Sequence, residues 1–348
     1  MSIERATEAS GTEFSTDIPA ELIREEEEAH LPPGVGPYEL AWRRLRRNKS
    51  ALFFGGLFVV IVVLCLLAPV YASDIAHTGP NANHITEQIK IGGKLTYVVN
   101  TIGLPIGPTW HSKFFLGADF NGRDEAVRLL YGGRNSLEVG AVAMLITMFF
   151  ATIIGVLAGY TRGWVDGLLT RALDVIWAYP VYILGVALGV SLAIGGIGPL
   201  HGNSLLVPAV VIGFVYIPYV AKPVRGQVLG LREREFVDAA RVQGLSHLRI
   251  MATEILPNLS STIIVFIPLI LANAILLEAG LSFLGAGVQP PNPSWGTMIS
   301  DGIRIIPASF HLVLVPGIML VLAVLSINVF GDGVRDALDP RAKVRVSH

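Results

Sequence analysis

The feature that most constrains the fold of this chain is a set of long apolar runs with almost no charge. A helix needs about 20 residues to cross a ~30 Å hydrocarbon core, and 258–277 supplies that length without a charged residue. Membrane strands alternate apolar and polar residues, which these runs do not. The pattern therefore predicts an all-α polytopic membrane protein with six transmembrane helices. The expected spans are 51–72, 137–160, 173–197, 205–221, 258–277 and 311–330.

Lys and Arg residues predict the orientation of these spans. With six spans both termini lie on one side, and the segments on that side carry 19 of the 26 basic residues. Basic residues concentrate in cytoplasmic loops. We therefore expect both termini and the loop 222–257 in the cytoplasm, and the segments 73–135 and 283–308 outside.

The first 30 residues differ from the rest of the chain. They hold nine acidic and two basic residues, and they have no periodic apolar stripe that could offset the entropy of ordering. They also lack the basic and apolar regions of a signal peptide. The sequence predicts a disordered cytoplasmic tail, either without a specific partner or acting as an interaction arm.

The loop 222–257 is the most informative connection. Glu233 and Glu235 suit the first turn of a helix, and Arg241 suits its last turn. Gly244 permits a positive φ that stops this helix. A second helix is expected from a cap at Ser246 to Pro257, where the fifth span begins. This predicts a sharply bent pair of short helices, although a plain connector stays possible. The expected apolar face consists of Phe236, Ala239 and Ala240.

The outer segments and the spans give smaller signals. The residues 89–99 predict a hairpin that turns at Gly92-Gly93. A helix from Asp124 to Tyr131 is expected to break at Gly132-Gly133. Glycines spaced four apart permit close helix packing, as any membrane bundle requires; they are Gly155, Gly159, Gly185 and Gly189.

Enzyme chemistry has no recognisable motif in this sequence. There is no nucleotide-binding G-x-x-x-x-G-K-[S/T], no H-E-x-x-H and no G-x-S-x-G, and the eight histidines are scattered. We expect no catalytic residue, cofactor or metal, and the charge pattern favours no nucleic acid. Glu138, Asp174 and Glu278 lie near predicted span ends. Capped interfacial carboxylates are the simpler interpretation, and a proton relay is the alternative.

Six ordered segments carry a resemblance to a known family. They include the loop EREFVDAARVQG, the later run LEAGLSFLGAGVQPPNPSWGTMISDG and the ending FGDGVRDALDPR. These resemble the dipeptide/oligopeptide/nickel class of binding-protein-dependent ABC importer permeases, second-permease type, from about Trp42 to Arg341. Two motif positions differ: Asp238 replaces the usual Glu, and Glu254 stands where Ile is usual.

The resemblance implies a type I ABC importer permease fold in the plasma or inner membrane. It implies a pore shared with a homologous permease, two ATP-hydrolysing cassette subunits and an extracytoplasmic solute-binding protein. The ATPase-coupling loop carried over by the resemblance consists of Glu235, Phe236, Asp238, Ala239, Ala240, Gly244, Leu256 and Pro257. Within it we expect Ala239 and Ala240 to approach the ATPase, Gly244 to set the docking angle and Asp238 to anchor it.

The resemblance also implies a surface that receives the binding protein. The outer-loop residues expected there are Gln289, Pro290, Pro291 and Trp295, with Trp295 at interfacial depth. The expected organisation is a tail and lead-in at 1–41, a first helix with its basic flank at 42–72, an outer region at 73–135, a permease core at 136–341 and an end at 342–348.

The resulting functional expectation is ATP-driven import of peptides or similar small solutes. The alternatives are an ion-coupled secondary transporter and a membrane anchor without transport.

Overall fold

The computed structural model describes residues 36–196 and 198–338, so the acidic tail 1–30 lies outside the described residues. Helix α1 begins at Pro37 and ends at Leu45, so the predicted lead-in up to residue 41 is partly helical. The first span, α2, covers Lys49–Leu66, and its first turn is capped by Asn48 Oδ1, which accepts from Ala51 N at 3.0 Å. A short helix α3 (Ala68–Val70) and a π-helical turn (Tyr71–Ile75) follow.

The hairpin predicted over 89–99 is confirmed. Strand β1 (Gln88–Ile91) pairs antiparallel with β2 (Lys94–Tyr97), and Gly92 and Gly93 form the turn with φ values of 56° and 88°. Its apolar side covers a small core of this segment. The buried members of that core are Val98, Val99, Ile106, Phe114 and Ala118.

Helix α4 covers Glu125–Thr161 without interruption, so the predicted break at Gly132-Gly133 is wrong. A Cβ on Gly133 would collide with Cys65 Sγ and with the Trp295 ring. The glycine is there for close packing, and the helix keeps its backbone hydrogen bonds through it.

The predicted third span is two helices. Helix α5 covers Gly163–Trp177, α6 covers Val181–Gly195, and their axes differ by 91°. Pro180 precedes α6 directly, and proline lacks the N–H that a continuous helix would need there. Asp174, expected near the start of this span, therefore lies inside α5, close to the bend.

The remaining helices include the loop between the fourth and fifth spans. The second short helix does not end at Pro257, because α9, a π-helical turn and α10 follow one another directly. Pro257 occupies the first turn of α10, where a missing N–H is tolerated. The elements are α7 (Leu206–Leu231), α8 (Glu235–Val242), α9 (His247–Ile250), the π turn (Met251–Ile255), α10 (Leu256–Phe283), α11 (Trp295–Ile303) and α12 (His311–Leu338).

Five of the described helices are long and apolar enough to span a membrane, and the bent pair α5–α6 makes six. The helices α4 and α7 pack at close range. A Cβ on Gly155 would lie 2.8 Å from Ala221 O, and one on Gly159 would lie 2.8 Å from Arg225 O. These contacts confirm that the predicted glycines serve close helix packing. They also fix the end of α4 beside the α8 segment.

Candidate functional site

The bent segment between the spans α7 and α10 has the geometry that its sequence predicts. Gly244 has φ +78° and lies two residues after the end of α8, and Ser246 Oγ accepts from Arg249 N at 3.4 Å to cap α9. Glu235 begins α8 and Arg241 lies in its last turn. Glu233 lies before the helix, because Arg234 is the N-cap residue.

One face of α8 packs against the chain's own core. Val237 is fully buried and Ala240 is 5% exposed, and both join a cluster with Tyr160, Ile250 and Ile255. This corrects the predicted face of Phe236, Ala239 and Ala240. Val237 and Ala240 are three positions apart and pack together into the core below α8, so Ala240 points inward.

The opposite face of α8 points away from the bundle. Phe236 and Val242 are 37% and 89% exposed, and Ala239 is exposed between them. Arg241 Nη1 donates to Asp238 Oδ1 at 2.8 Å, and the Asp238 side chain is 64% exposed. The outward face thus combines apolar groups, a small alanine and an exposed ion pair. Glu235 is also exposed at its start.

Tyr160, near the end of α4, supports the bend from below. Arg232 Nη1 donates to Tyr160 O at 2.5 Å, and Tyr160 OH lies 3.0 Å from His247 Nδ1. The guanidinium groups of Arg232 and Arg241 lie 5.9 and 6.0 Å from the centre of the Tyr160 ring. One tyrosine thereby touches residues before, within and after the bend. Sequence reasoning missed it, although a tyrosine at the end of the predicted span 137–160 was a usable signal.

Two ion pairs fix the connections around this support. Arg225 donates from Nε and Nη2 to the two carboxylate oxygens of Asp166 at 2.5 and 2.7 Å. Arg162 pairs with Glu233, the residue just before the α8 cap. These pairs join the α4–α5 connection and α5 to α7 and the residues that follow it.

The other predicted loop residues lie after the bend. Leu256 is 40% exposed and Pro257 is exposed, and both belong to the first turn of α10. Glu254 accepts a hydrogen bond from Thr253 Oγ1 at 3.1 Å. Leu256 and Pro257 are thus separated from α8 by α9 and the π turn, and Glu254 lies within that turn.

At the opposite end of the bundle, the segment 285–302 packs against the spans. Trp295 is fully buried, and its Nε1 donates to Leu129 O at 3.1 Å. Its predicted place in a partner-facing loop is therefore wrong for the side chain itself: the indole fills space between helices. Gln289 Nε2 donates to the carbonyl oxygens of Gly285 and Gly287, both at 3.0 Å. Pro290 and Pro291 are exposed.

A buried charge cluster borders that segment. Arg123 Nε donates to Asp119 Oδ2 at 2.6 Å, and Arg123 Nη2 lies 3.5 Å from Asp301 Oδ2. Arg128 Nε lies 3.5 Å from Asp119 Oδ2. Burial raises the pKa of Asp301 above its ordinary value although Arg123 and Arg128 oppose that shift. The cluster ties α11 to the start of α4.

The three intramembrane carboxylates have different surroundings. Glu138 is exposed on α4, and Asp174 Oδ1 lies 2.7 Å from Lys222 Nζ. Glu278 is buried near the end of α10 and accepts from Ser282 Oγ at 2.6 Å. Among the described residues no group of three His, Cys, Asp or Glu side chains could hold a metal ion.

Comparisons with known proteins agree with this architecture. A model of the binding-protein-dependent transport system inner membrane component matches residues 151–344, and a model of the N-terminal TM domain of oligopeptide transport permease C matches residues 36–87. The second match begins before Trp42, so the similarity includes α1.

Curated relatives match over most of their length. The dipeptide transport system permease protein DppC of Alkalihalophilus pseudofirmus is 36% identical over 89% of this chain and 91% of its own. A putative peptide transport system permease protein of Brucella suis is 37% identical over 89% and 94%. The glutathione transport system permease protein GsiD of Pectobacterium atrosepticum is 32% identical over 88% and 92%.

A solved structure supports the fold. A chain of the MetNI methionine ABC transporter in an inward-facing conformation superposes with a TM-score of 0.50 at 19% identity, over 61% of this chain and 96% of that one. The fold of the permease core is therefore that of an ABC importer permease. From its helices, its bent segment and these matches, the chain belongs to the family of binding-protein-dependent transport system inner membrane components, which are transport subunits and not enzymes.

Proposed function

We propose that this chain is one of two pore-forming permeases in an ATP-driven importer of peptides or similar small solutes. The relatives named for dipeptide, peptide and glutathione transport support this solute class. A homologous permease completes the pore, two cassette ATPases supply the energy, and an extracytoplasmic binding protein delivers the solute.

The observation that carries this proposal is the division of α8 into two faces. Val237 and Ala240 hold the helix on the bundle, and Phe236, Ala239 and Val242 leave an apolar outward face uncovered by the described chain. A helix fixed on one side and apolar on the other is suited to a protein groove. In this proposal the outward face docks in the ATPase.

In this proposal the contacts of Tyr160 beneath α8 connect the movement of α8 to the spans. A ligand shifts a conformational equilibrium only by its different affinities for the two states. ATP binding closes the ATPase dimer and displaces the docked α8. Because Tyr160, Arg232 and His247 connect the bend to α4 and α7, these spans move with it. The chain acts as a passive gate.

The orientation is part of the proposal. The α8 end of the bundle carries most of the basic residues, and such residues favour the cytoplasm. We place both termini and α8 there, and the hairpin and the segment 285–302 outside. Pro290 and Pro291 offer the exposed part of the surface for the binding protein. Gln289 orders this loop, and Trp295 supports it from inside.

The test is peptide uptake by the purified assembly in proteoliposomes. The proposal predicts that uptake requires enclosed ATP and the binding protein, and that it continues when a protonophore collapses the proton gradient. A secondary transporter gives the opposite pattern: uptake without ATP and its loss with the gradient.

A permease that imports another solute class is distinguished by the same assay. Competition by unlabelled dipeptides lowers the uptake of a labelled dipeptide if peptides are the cargo. ATP-dependent uptake that no peptide inhibits would overturn the solute class and keep the importer assignment.

A further inference from the structure

A group of polar and aromatic side chains is partly exposed on the surface of the helix bundle, beside the bend between α5 and α6. Asp174 lies three residues before the end of α5, close to the 91° bend that leads into α6. Lys222 lies sixteen residues after the start of α7, which is roughly 24 Å of helix. Measured from the start of α7, the pair therefore lies within the length of a ~30 Å hydrocarbon layer, toward the side of α8.

These two charges are paired but not buried. Lys222 Nζ lies 2.7 Å from Asp174 Oδ1, yet the side chains are 34% and 56% exposed. Exposed charges at this depth are costly against lipid tails, and in membrane proteins they face the bundle interior or a water-filled cavity. The face that carries the pair therefore requires water or protein beside it.

Aromatic rings with polar atoms surround the pair. The Trp177 ring stacks on Tyr219 with centroids 5.9 Å apart, and Lys222 Nζ lies 5.0 Å from the Trp177 centroid. Tyr216 meets Tyr219 edge to face at 6.3 Å. Trp177 and Tyr219 are 51% and 37% exposed. Rings with an apolar body and a polar tip suit a solute that carries both kinds of group.

An open cavity continues this face toward the α8 end. It lies between α7, α10 and α12 and has a volume of about 510 Å³. Its wall includes Gln227 and Thr262, whose side chains hydrogen-bond at 2.7 Å, together with Phe266. Pro223 in the same wall directly follows Lys222 in α7.

We propose that α7 and the α5–α6 bend form this chain's wall of the aqueous solute path, with Trp177, Tyr219 and the Lys222–Asp174 pair contacting the passing peptide. This assignment rests on the proposed function for the identity of the solute. The ion pair interacts with the charged termini of a short peptide, and the aromatic rings contact its side chains.

Thiol accessibility tests the path directly. The chain has one cysteine, Cys65, which is fully buried, so an introduced cysteine is the reactive one. Tyr219→Cys and Gln227→Cys are made in the complete assembly in inside-out vesicles. A charged, membrane-impermeant methanethiosulfonate reagent is added, and retained ATPase activity confirms assembly. The matched control is Val59→Cys, an exposed apolar position in the middle of α2.

Reaction requires an ionised thiol in contact with water. We expect both path cysteines to react at least about tenfold faster than Val59→Cys, and their modification to block uptake. Equal rates at all three positions, or an unreactive Tyr219→Cys in an assembly that still imports peptide, would overturn the path and leave the proposed function standing. Fast labelling in an assembly that imports no peptide would support the path and contradict the proposed solute.

Discussion

The α8 segment and the segment 285–302 lie at opposite ends of the bundle and use their side chains in opposite ways. Each connects two helices, and each was expected to meet a partner protein. The α8 segment buries small residues such as Ala240 and exposes Phe236 and Val242. The outer segment buries its largest residue, Trp295, and exposes Pro290 and Pro291.

This difference separates two kinds of evidence for a docking surface. An apolar group left uncovered by its own chain indicates a partner, since exposed apolar patches mark interaction sites. A buried tryptophan indicates structural support. The α8 segment therefore offers the stronger docking surface, and the outer segment offers a rigid base with a small exposed tip.

The largest expected effect tests the outer segment as structural support. Trp295→Ala removes a fully buried indole and its bond to Leu129 O. Such a truncation costs about 3–5 kcal/mol, so we expect a strong loss of folded protein in a thermal-unfolding assay of detergent-solubilised assembly. The control is Trp164→Ala, because that indole is 79% exposed. Equal stability of the two variants would contradict the comparison.

The next effect tests the bend. Gly244→Val places a β-branched side chain at φ +78°, which costs about 1–3 kcal/mol of local strain. No atom lies within 4 Å of the added Cβ, so the change acts on the angle and not on packing. We expect uptake to fall by about tenfold or more, with the subunits still assembled, because 1.4 kcal/mol corresponds to a factor of ten.

The matched control for the bend is Gly230→Ala in α7. This glycine also has open space around its Cβ position but has no positive φ. We expect normal uptake. Full-rate uptake by an assembled Gly244→Val transporter would show that the bend does not couple the ATPase to the spans.

A smaller effect tests the support under α8. Tyr160→Phe keeps the ring and removes the hydroxyl that lies 3.0 Å from His247 Nδ1. A hydrogen bond of this kind contributes about 1 kcal/mol. We expect normal assembly, a lowered ratio of solute imported to ATP hydrolysed, and nearly unchanged ATPase activity. An unchanged ratio would mean that this contact only holds the loop.

The smallest effect concerns the exposed ion pair of α8. Asp238→Asn removes the partner of Arg241 at a site where the carboxylate is 64% exposed. Exposed pairs contribute about 0–1 kcal/mol and are screened by salt. We expect less than about a fivefold loss of uptake, and a smaller loss at high salt. Asp238→Glu, which restores the usual motif residue, should retain full uptake. A loss that salt does not change would exclude an electrostatic role.

The spans were predictable because length and apolarity determine what crosses a bilayer. The hairpin and the positive φ of Gly244 were predictable from local turn chemistry. The directions in which Ala239 and Ala240 point were not predictable. Helical periodicity shows which residues share a face, but it does not show which face packs against the core. The packing reason for Gly133 also depends on a distant residue, Trp295, that local sequence does not reveal.

The surroundings of Asp174 were also not predictable from local sequence. Its distance from the predicted span end suggested a capped interfacial carboxylate. The structure instead places it inside α5, next to the 91° bend, where it pairs with Lys222, a residue distant in sequence. Tyr160 likewise gains its role only when the residues around the bend fold back onto α4.

The most direct test of the docking claim uses the two neighbouring alanines of α8. Ala239 is exposed and Ala240 is 5% exposed, and Cys65 is buried, so Ala239→Cys and Ala240→Cys each add one thiol to a silent background. A thiol-specific photo-crosslinker is attached to each variant in the assembled transporter. We expect a cross-link to the ATPase subunit from position 239 and little from 240. No ATPase cross-link from position 239 in an assembly that imports solute would contradict the account.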